Sequence, residues 1–145
     1  MPLLKIDSKE IEIKSGTTVL QAAEANGIEI PYYCYHPALE IVGSCRMCLV
    51  QVEGMPKLQV SCNTFVGDVP PERKVDGKYD MVVDTQNDLV VQERKNILEF
   101  LLLNHPLDCP VCDQAGECYL QDYSFKFGNA HSRFDEAKRV RPNEY

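Results

Sequence analysis

Seven cysteines fall into two spaced sets, and that spacing constrains the chain more than any other feature of its 145 residues. The first set reads C-x10-C-x2-C-x13-C, through Cys34, Cys45, Cys48 and Cys62. The second reads H-x3-C-x2-C-x5-C, through His105, Cys109, Cys112 and Cys118. An odd number of cysteines cannot close into intramolecular disulfides without leaving one thiol over, whereas metal ligation has no parity requirement. The opening MPLLKIDSKE has two leucines followed by charges and no sustained apolar stretch, so nothing there resembles a secretory signal. A cytoplasmic location is the expectation, and there a cysteine-rich chain reads as metal-binding or catalytic before it reads as disulfide-stapled.

Four thiolates suit either zinc or an iron–sulfur cluster, since soft sulfur ligands favour both. A zinc ribbon usually pairs two C-x-x-C knuckles, but the first set has one C-x-x-C with a distant cysteine on each side. That asymmetry matches a ferredoxin-type 2Fe-2S site, in which a loop wraps the cluster and the last ligand arrives from a neighbouring strand. The first gap is longer than in plant-type ferredoxins, and Tyr35-His36-Pro37 with Gly43-Ser44 supplies turn residues for a larger loop. The second set could hold a 4Fe-4S cluster with one imidazole ligand, or zinc on three thiolates and one imidazole, and the ligand set alone does not choose. An imidazole ligand removes one negative charge relative to four thiolates, which makes such a cluster easier to reduce.

Other function classes fit less well. Cys109-Pro110-Val111-Cys112 could be a thioredoxin-like pair, but that motif wants a βαβ setting and no third cysteine close behind. No nucleophile and oxyanion arrangement accompanies any Cys and His, and G-x-G-x-x-G and P-loop motifs are absent. A net charge of -7 argues against nucleic acid as a partner. The basic cluster Arg133, Lys138, Arg139 and Arg141 reads as a solvated face. His36 and His131 read as surface residues or supports for ligands. The longest apolar run, Ile97 to Leu103, contains Glu99 and falls far short of the roughly 20 residues a membrane span needs. No direct membrane span is expected.

Alternation of apolar and polar residues predicts a hairpin from Leu3–Asp7 and Ile11–Lys14, turning at Ser8-Lys9-Glu10. A helix follows, with Gly16-Thr17-Thr18 supplying its N-cap, Val19, Leu20, Ala22, Ala23 and Ala25 on one face and Asn26-Gly27 as its stop. Ile28 to Ile30 reads as a short strand. Met47–Val52 and Leu58–Cys62 read as a second hairpin through Glu53-Gly54-Met55-Pro56. Strands, a helix across them and more strands make a small α+β sheet of the β-grasp kind. Gly67–Lys78 is rich in Pro, Gly and charge and reads as a linker. Beyond it, Tyr79–Asp84 reads as an edge strand, and Asn87 or Asp88 caps a helix from Leu89 to about Leu103 whose apolar end should be buried. The expected organisation is a 2Fe-2S domain over 1–80 and a small, mainly helical 4Fe-4S domain, with one histidine and three cysteines as ligands, over 81–145.

At IPYYCYHPAL, GSCRMCLVQVEG, FLLLNHPLDCPVCDQAGECYLQD and FGNAHSRF the chain closely resembles the N-terminal region of the large iron–sulfur subunit, the G or 75 kDa type, of respiratory NADH:quinone oxidoreductase, complex I. The resemblance implies a β-grasp 2Fe-2S ferredoxin-like domain with Cys34, Cys45, Cys48 and Cys62 as ligands. It also implies a 4Fe-4S cluster on His105, Cys109, Cys112 and Cys118, and no catalytic residue of its own. The implied role is an electron-carrying part of an oxidoreductase, relaying electrons from NADH through a flavin subunit toward quinone. The implied partners are the flavin/NADH-binding subunit and other iron–sulfur subunits, and the implied place is the cytoplasmic side of the inner membrane, held there through the complex.

The same module occurs in the diaphorase part of NAD-linked hydrogenases and in formate dehydrogenases. A structural zinc protein and a free-standing ferredoxin are the remaining alternatives. Members of the complex I family continue into further domains, whereas this sequence stops at Tyr145. The expectation is a piece of a longer subunit or a short form that relies on another one.

Overall fold

The computed structural model describes residues 1–74 and 77–139 of the chain. Two compact units divide at Glu93 and Arg94. In the first, alternation drives the strands: Leu4 and Ile6 of β1 (Leu3–Ile6) and Val50 and Val52 of β3 (Leu49–Val52) are fully buried. Met81 and Val83 of β5 (Met81–Asp84) are nearly so. With β2 (Lys9–Glu12) and β4 (Gln59–Val60) they form one sheet in the order β2-β1-β5-β3-β4, with β1 and β5 parallel and the other neighbours antiparallel.

Helix α1 (Val19–Ala25) contributes Val19, Leu20, Ala22 and Ala23 to the core shared with the strands. A capping box starts it. The Thr18 hydroxyl accepts from the Gln21 N–H at 3.2 Å, and the Gln21 side chain accepts from the Thr18 N–H at 3.1 Å.

Several sequence expectations shift. The first turn is tighter than Ser8-Lys9-Glu10, because Lys9 already pairs with Ile6. Asp7 makes this possible by taking the left-handed region at φ 52, which Asp tolerates better than most residues. Residues 28–30 form no ladder; Ile30 and Ile28 put their side chains into or against the core without strand pairing. The second hairpin shortens, and Ser61–Asn63 closes it as a 3-10 turn.

The strand expected at an edge over 79–84 is instead central, bonded to β1 on one side and β3 on the other. The division therefore lies beyond the 80/81 boundary expected from the linker, since a cut there would remove the middle of the sheet. The linker itself contains a 3-10 turn, Pro71–Arg73, and its residues 75 and 76 lie outside the described residues.

Helix α2 (Asp88–Leu102) carries the division between the units, and Asn87 caps it by accepting the Val90 N–H at 2.9 Å. Its apolar end differs from expectation: Leu98 is buried, but Phe100 is 72% exposed. Apolar residues all round a helix cannot all face one core, and the 3.6-residue period turns Phe100 away.

The second unit also holds a 3-10 turn, Cys109–Val111, and α3 (Tyr119–Phe127). On α3, Tyr119 stacks on Tyr123 at 5.9 Å, and Tyr123 meets Phe127 edge-on at 5.7 Å, the (i, i+4) spacing that stabilises a short helix. Among the described residues no helix is long and apolar enough to cross a membrane.

The join between Asp7 and the strand after it in space is testable. Asp7 Oδ1 accepts the Thr85 N–H and Oδ2 the Thr85 hydroxyl, each at 2.8 Å, and Thr85 is fully buried. Asp7→Ala leaves buried donors unpaired and adds left-handed strain, so urea unfolding should show a loss of about 2 kcal/mol. Asp7→Asn, which tolerates that backbone, should lose less.

Candidate metal centres

The first cysteine set is assembled from three places in the sheet unit. Cys34 and Cys45 lie on the irregular segment between α1 and β3, Cys48 immediately precedes β3, and Cys62 sits in the 3-10 turn after β4. Cys48 and Cys62 are each 1% exposed, whereas Cys34 and Cys45 are partly exposed. The β3–β4 ladder continues one step past Leu49 and Val60, with the Ser61 N–H donating to the Cys48 carbonyl at 3.0 Å. That bond fixes the two buried cysteines relative to each other.

The loop is tied down from its other side as well. Gln21, already part of the α1 capping box, donates through Nε2 to the Tyr35 hydroxyl at 3.0 Å. Tyr35 is buried and meets Tyr32 edge-on at 5.4 Å, which anchors the chain on both sides of Cys34. At the far end of the loop Gly43 takes φ 63 and Arg46 takes φ 61, so the segment carrying Cys45 is turned by left-handed backbone. Arg46 holds that geometry despite its side chain, at a cost of roughly 1–2 kcal/mol.

The electrostatics of the four thiols show that they share one neighbourhood. Burial, then the charge of Cys48 and a hydrogen bond with it, then the charges of Cys34 and Cys45 push the Cys62 thiol up to about 12. Cys34 moves the other way. Burial opposes its ionisation, yet donors from Cys45 and Ser44, including the Cys45 N–H at 3.4 Å, outweigh it and lower the thiol. A site with both tendencies suits a cationic iron–sulfide core, which would neutralise the crowded thiolates and accept the donors' support of their sulfurs. Among the described residues no three His, Cys, Asp or Glu side chains gather as a metal-binding group. A 2Fe-2S cluster spreads its four thiolates over two irons, so its donors need not meet at one point.

The second set is strung along the segment between α2 and α3. His105 follows the end of α2, and its N–H donates to the Leu102 carbonyl at 3.2 Å. Cys109 opens the 3-10 turn and Cys112 closes it, with the Cys112 N–H donating to the Cys109 carbonyl at 3.3 Å. Cys118 is the N-cap of α3, where its carbonyl accepts the Asp122 N–H at 3.0 Å. The chain places these four close in sequence on successive turns, and among the described residues no hydrogen bond joins their side chains of the kind that links the Cys45 N–H to the Cys34 sulfur in the first set. The thiols are more accessible too: Cys112 is exposed, and Cys109 and Cys118 are half-buried.

The basic residues read as a solvated face have a structural role. Lys138 donates through Nζ to the Leu102 carbonyl at 2.7 Å and to the His105 carbonyl at 2.9 Å, closing the C-terminal end of α2 where the His105 segment begins. Arg133 pairs with Glu99 and donates to Asn96 Oδ1 at 3.2 Å, and the pairing lowers the Glu99 carboxyl. The Arg139 N–H donates to Asn104 Oδ1 at 3.0 Å, while Arg141 lies outside the described residues. Sequence reading missed these roles because each partner is more than thirty positions away. His36 and His131 are exposed, and His36 Nδ1 accepts the Ala38 N–H at 3.2 Å in the turn past Tyr35.

A mixed β-grasp sheet with a cysteine loop, followed by a short cysteine-rich helical region, defines an iron–sulfur protein of the ferredoxin-like class. Residues 3–68 match the model of a 2Fe-2S iron–sulfur cluster binding domain, and 94–133 match that of the NADH-ubiquinone oxidoreductase-G iron-sulfur binding region. The G subunit of the NADH-quinone oxidoreductase of Rickettsia bellii is 48% identical over 98% of this chain, which spans 19% of that relative. The 75 kDa subunit of the NADH-ubiquinone oxidoreductase of Reclinomonas americana is 48% identical over 92% of this chain and 18% of its own length. Among solved structures, an NAD+-reducing [NiFe]-hydrogenase in the H2-reduced state superposes with a TM-score of 0.77 at 31% identity, covering 97% of this chain and 54% of that one. The chain belongs to the iron–sulfur region of the G-subunit family of NADH-quinone oxidoreductases. It spans about a fifth of the length of the curated relatives it matches.

Two substitutions probe the loops. Arg46→Gly should keep iron and sulfide content, whereas Arg46→Val, which puts a β-branched residue in left-handed backbone, should lower the iron bound by the first set. Lys138→Ala should lower stability by about 1 kcal/mol through the opened helix end. It should also speed loss of iron from the second set under a chelator, read by absorbance and iron assay.

Proposed function

We propose that this chain is an electron relay, with one 2Fe-2S cluster on Cys34, Cys45, Cys48 and Cys62 and one 4Fe-4S cluster on His105, Cys109, Cys112 and Cys118. The observation that carries the reading is the placement of the four cysteines around one β-grasp loop, with the Cys45 N–H donating to the Cys34 sulfur at 3.4 Å and the Ser61 N–H holding Cys48 beside Cys62. When bound, each cluster supplies a reversible one-electron site. The chain's own residues do the rest. Cys48 and Cys62 hold their share of the centre in the core, Cys34 and Cys45 keep a partly exposed edge through which a redox partner can approach, and the Ser44 and Cys45 donors support charge on the Cys34 sulfur. His105, as a neutral ligand, leaves one negative charge fewer around the second centre.

In this reading the first unit serves one cluster and the second unit the other, with the functional boundary at the division in α2. The chain works as part of an NADH:quinone oxidoreductase. It takes electrons that leave NADH on a flavin subunit and passes them through further iron–sulfur subunits toward quinone. It is peripheral, on the cytoplasmic side of the inner membrane, and substrate turnover belongs to the assembly.

A second reading is favoured by one observation, the 31% identity and TM-score of 0.77 with the NAD+-reducing hydrogenase. In that case the same relay would serve a hydrogenase. Co-purification of quinone reductase activity with the chain supports the first reading, and hydrogen-dependent NAD reduction the second.

Anaerobically purified protein should contain about six irons and six acid-labile sulfides per chain, two plus four by cluster arithmetic. Zinc without sulfide would sink the relay. Cys48→Ser should remove the 2Fe-2S signal in electron paramagnetic resonance while leaving the 4Fe-4S signal, and loss of both would refute two independent centres.

A further inference from the structure

The side chain of Ser61 is wholly buried, and its hydroxyl has no hydrogen-bond partner among the described residues. A buried hydroxyl left in this state is costly, and its retention in a core calls for a partner outside the polypeptide or one not yet engaged. Two neighbouring main-chain carbonyls are engaged by other donors. The Val60 carbonyl accepts the Thr64 hydroxyl at 2.9 Å, and the Cys48 carbonyl accepts the Ser61 N–H at 3.0 Å.

The sheet register indicates where the hydroxyl can reach. Leu49 faces Val60 and Val50 faces Gln59, so the next step of the ladder, bonded through Ser61 N–H, sets Ser61 opposite Cys48. Ser61 opens the 3-10 turn, and its bond to Cys48 at that point puts the two residues side by side at the end of the ladder. Ser61 is also the immediate neighbour of Cys62 along the chain. One hydroxyl that can rotate to suit a partner thus stands beside two cysteines of the first set.

We propose that, once the 2Fe-2S centre is bound, the Ser61 hydroxyl, unpartnered without it, turns to donate a hydrogen bond to the Cys48 sulfur and raises the reduction potential of that centre. The inference rests on the electron-relay reading above. The mechanism is electrostatic: reduction adds negative charge that spreads onto the sulfurs, and a donor fixed beside one of them stabilises the reduced form more than the oxidised one. Ser61 is then a positioning and tuning residue rather than a ligand.

The test is an anaerobic redox titration followed by electron paramagnetic resonance on the full chain and on Ser61→Ala and Ser61→Thr, with iron and sulfide assayed in each. Ser61→Ala removes only an unpaired hydroxyl from the packed chain, so it should keep full iron and sulfide. Its 2Fe-2S centre should be about tenfold harder to reduce, a negative shift of about 59 mV for one electron, while the 4Fe-4S centre is unmoved. Ser61→Thr, which keeps the donor, should stay near the wild type. An unchanged potential in Ser61→Ala overturns the proposal. So does loss of iron from that variant, because a group that only donates to a sulfur is not needed to hold the cluster. Wild-type protein lacking iron and sulfide would remove the relay reading itself, and the hydrogen bond with it.

Discussion

In the electron-relay reading, four sulfurs that carry negative charge must be held inside one another's field, and the sheet unit supplies the means. Left to themselves, buried thiolates at this separation would repel, take up protons or drift apart; the rise of the Cys62 thiol expresses that tendency. The fold resists by fixing the sulfur-bearing segments to rigid parts that do not depend on the sulfurs. The ladder locks Cys48 against Ser61. The capping box of α1 reaches through Gln21 to Tyr35, beside Cys34. The left-handed turns at Gly43 and Arg46 bring Cys45 back toward Cys34. A site prepared in this way spends little on reorganisation when charge arrives, which is what a carrier of single electrons requires.

The second region meets a similar demand with less material. Among its described residues there is no strand, and the residues that the reading assigns as ligands stand on turns between two helices. The organising devices are helix ends: the carbonyls closing α2, bound by Lys138, and the start of α3 at Cys118. In the same reading such a region would depend more on its metal centre for order than the sheet unit does, since Arg94 and Leu98 are its only buried residues among those described.

How much was legible in the sequence follows from the range of each interaction. The alternation of Leu4 and Ile6, the apolar face of α1 and its Thr18 cap are local and could be read directly. The Asn87 cap was legible for the same reason. The central place of β5 was not, because pairing with β1 joins Leu4 to Met81, and no local pattern encodes that distance. For the first site, spacing named the cysteines, but it could not reveal Tyr35 as an anchor or Ser61 as a buried hydroxyl, since both depend on register and burial. The helix α3 was overlooked in the sequence because its signal, aromatics at Tyr119, Tyr123 and Phe127, lies against the cysteine run that drew attention.

The central strand has a consequence for how such a chain is made. Thr85 meets Asp7 across 78 positions, so the middle of the sheet cannot form until that stretch has left the ribosome. All four thiols of the first set emerge earlier. At about 5–20 residues per second the nascent chain carries them unsheltered for on the order of seconds. During that interval nothing in the sheet prevents them from meeting stray metal ions or oxidants. All four cysteines of the first set are thus made before the strand that closes the sheet, and it is the order of the strands that sets this sequence.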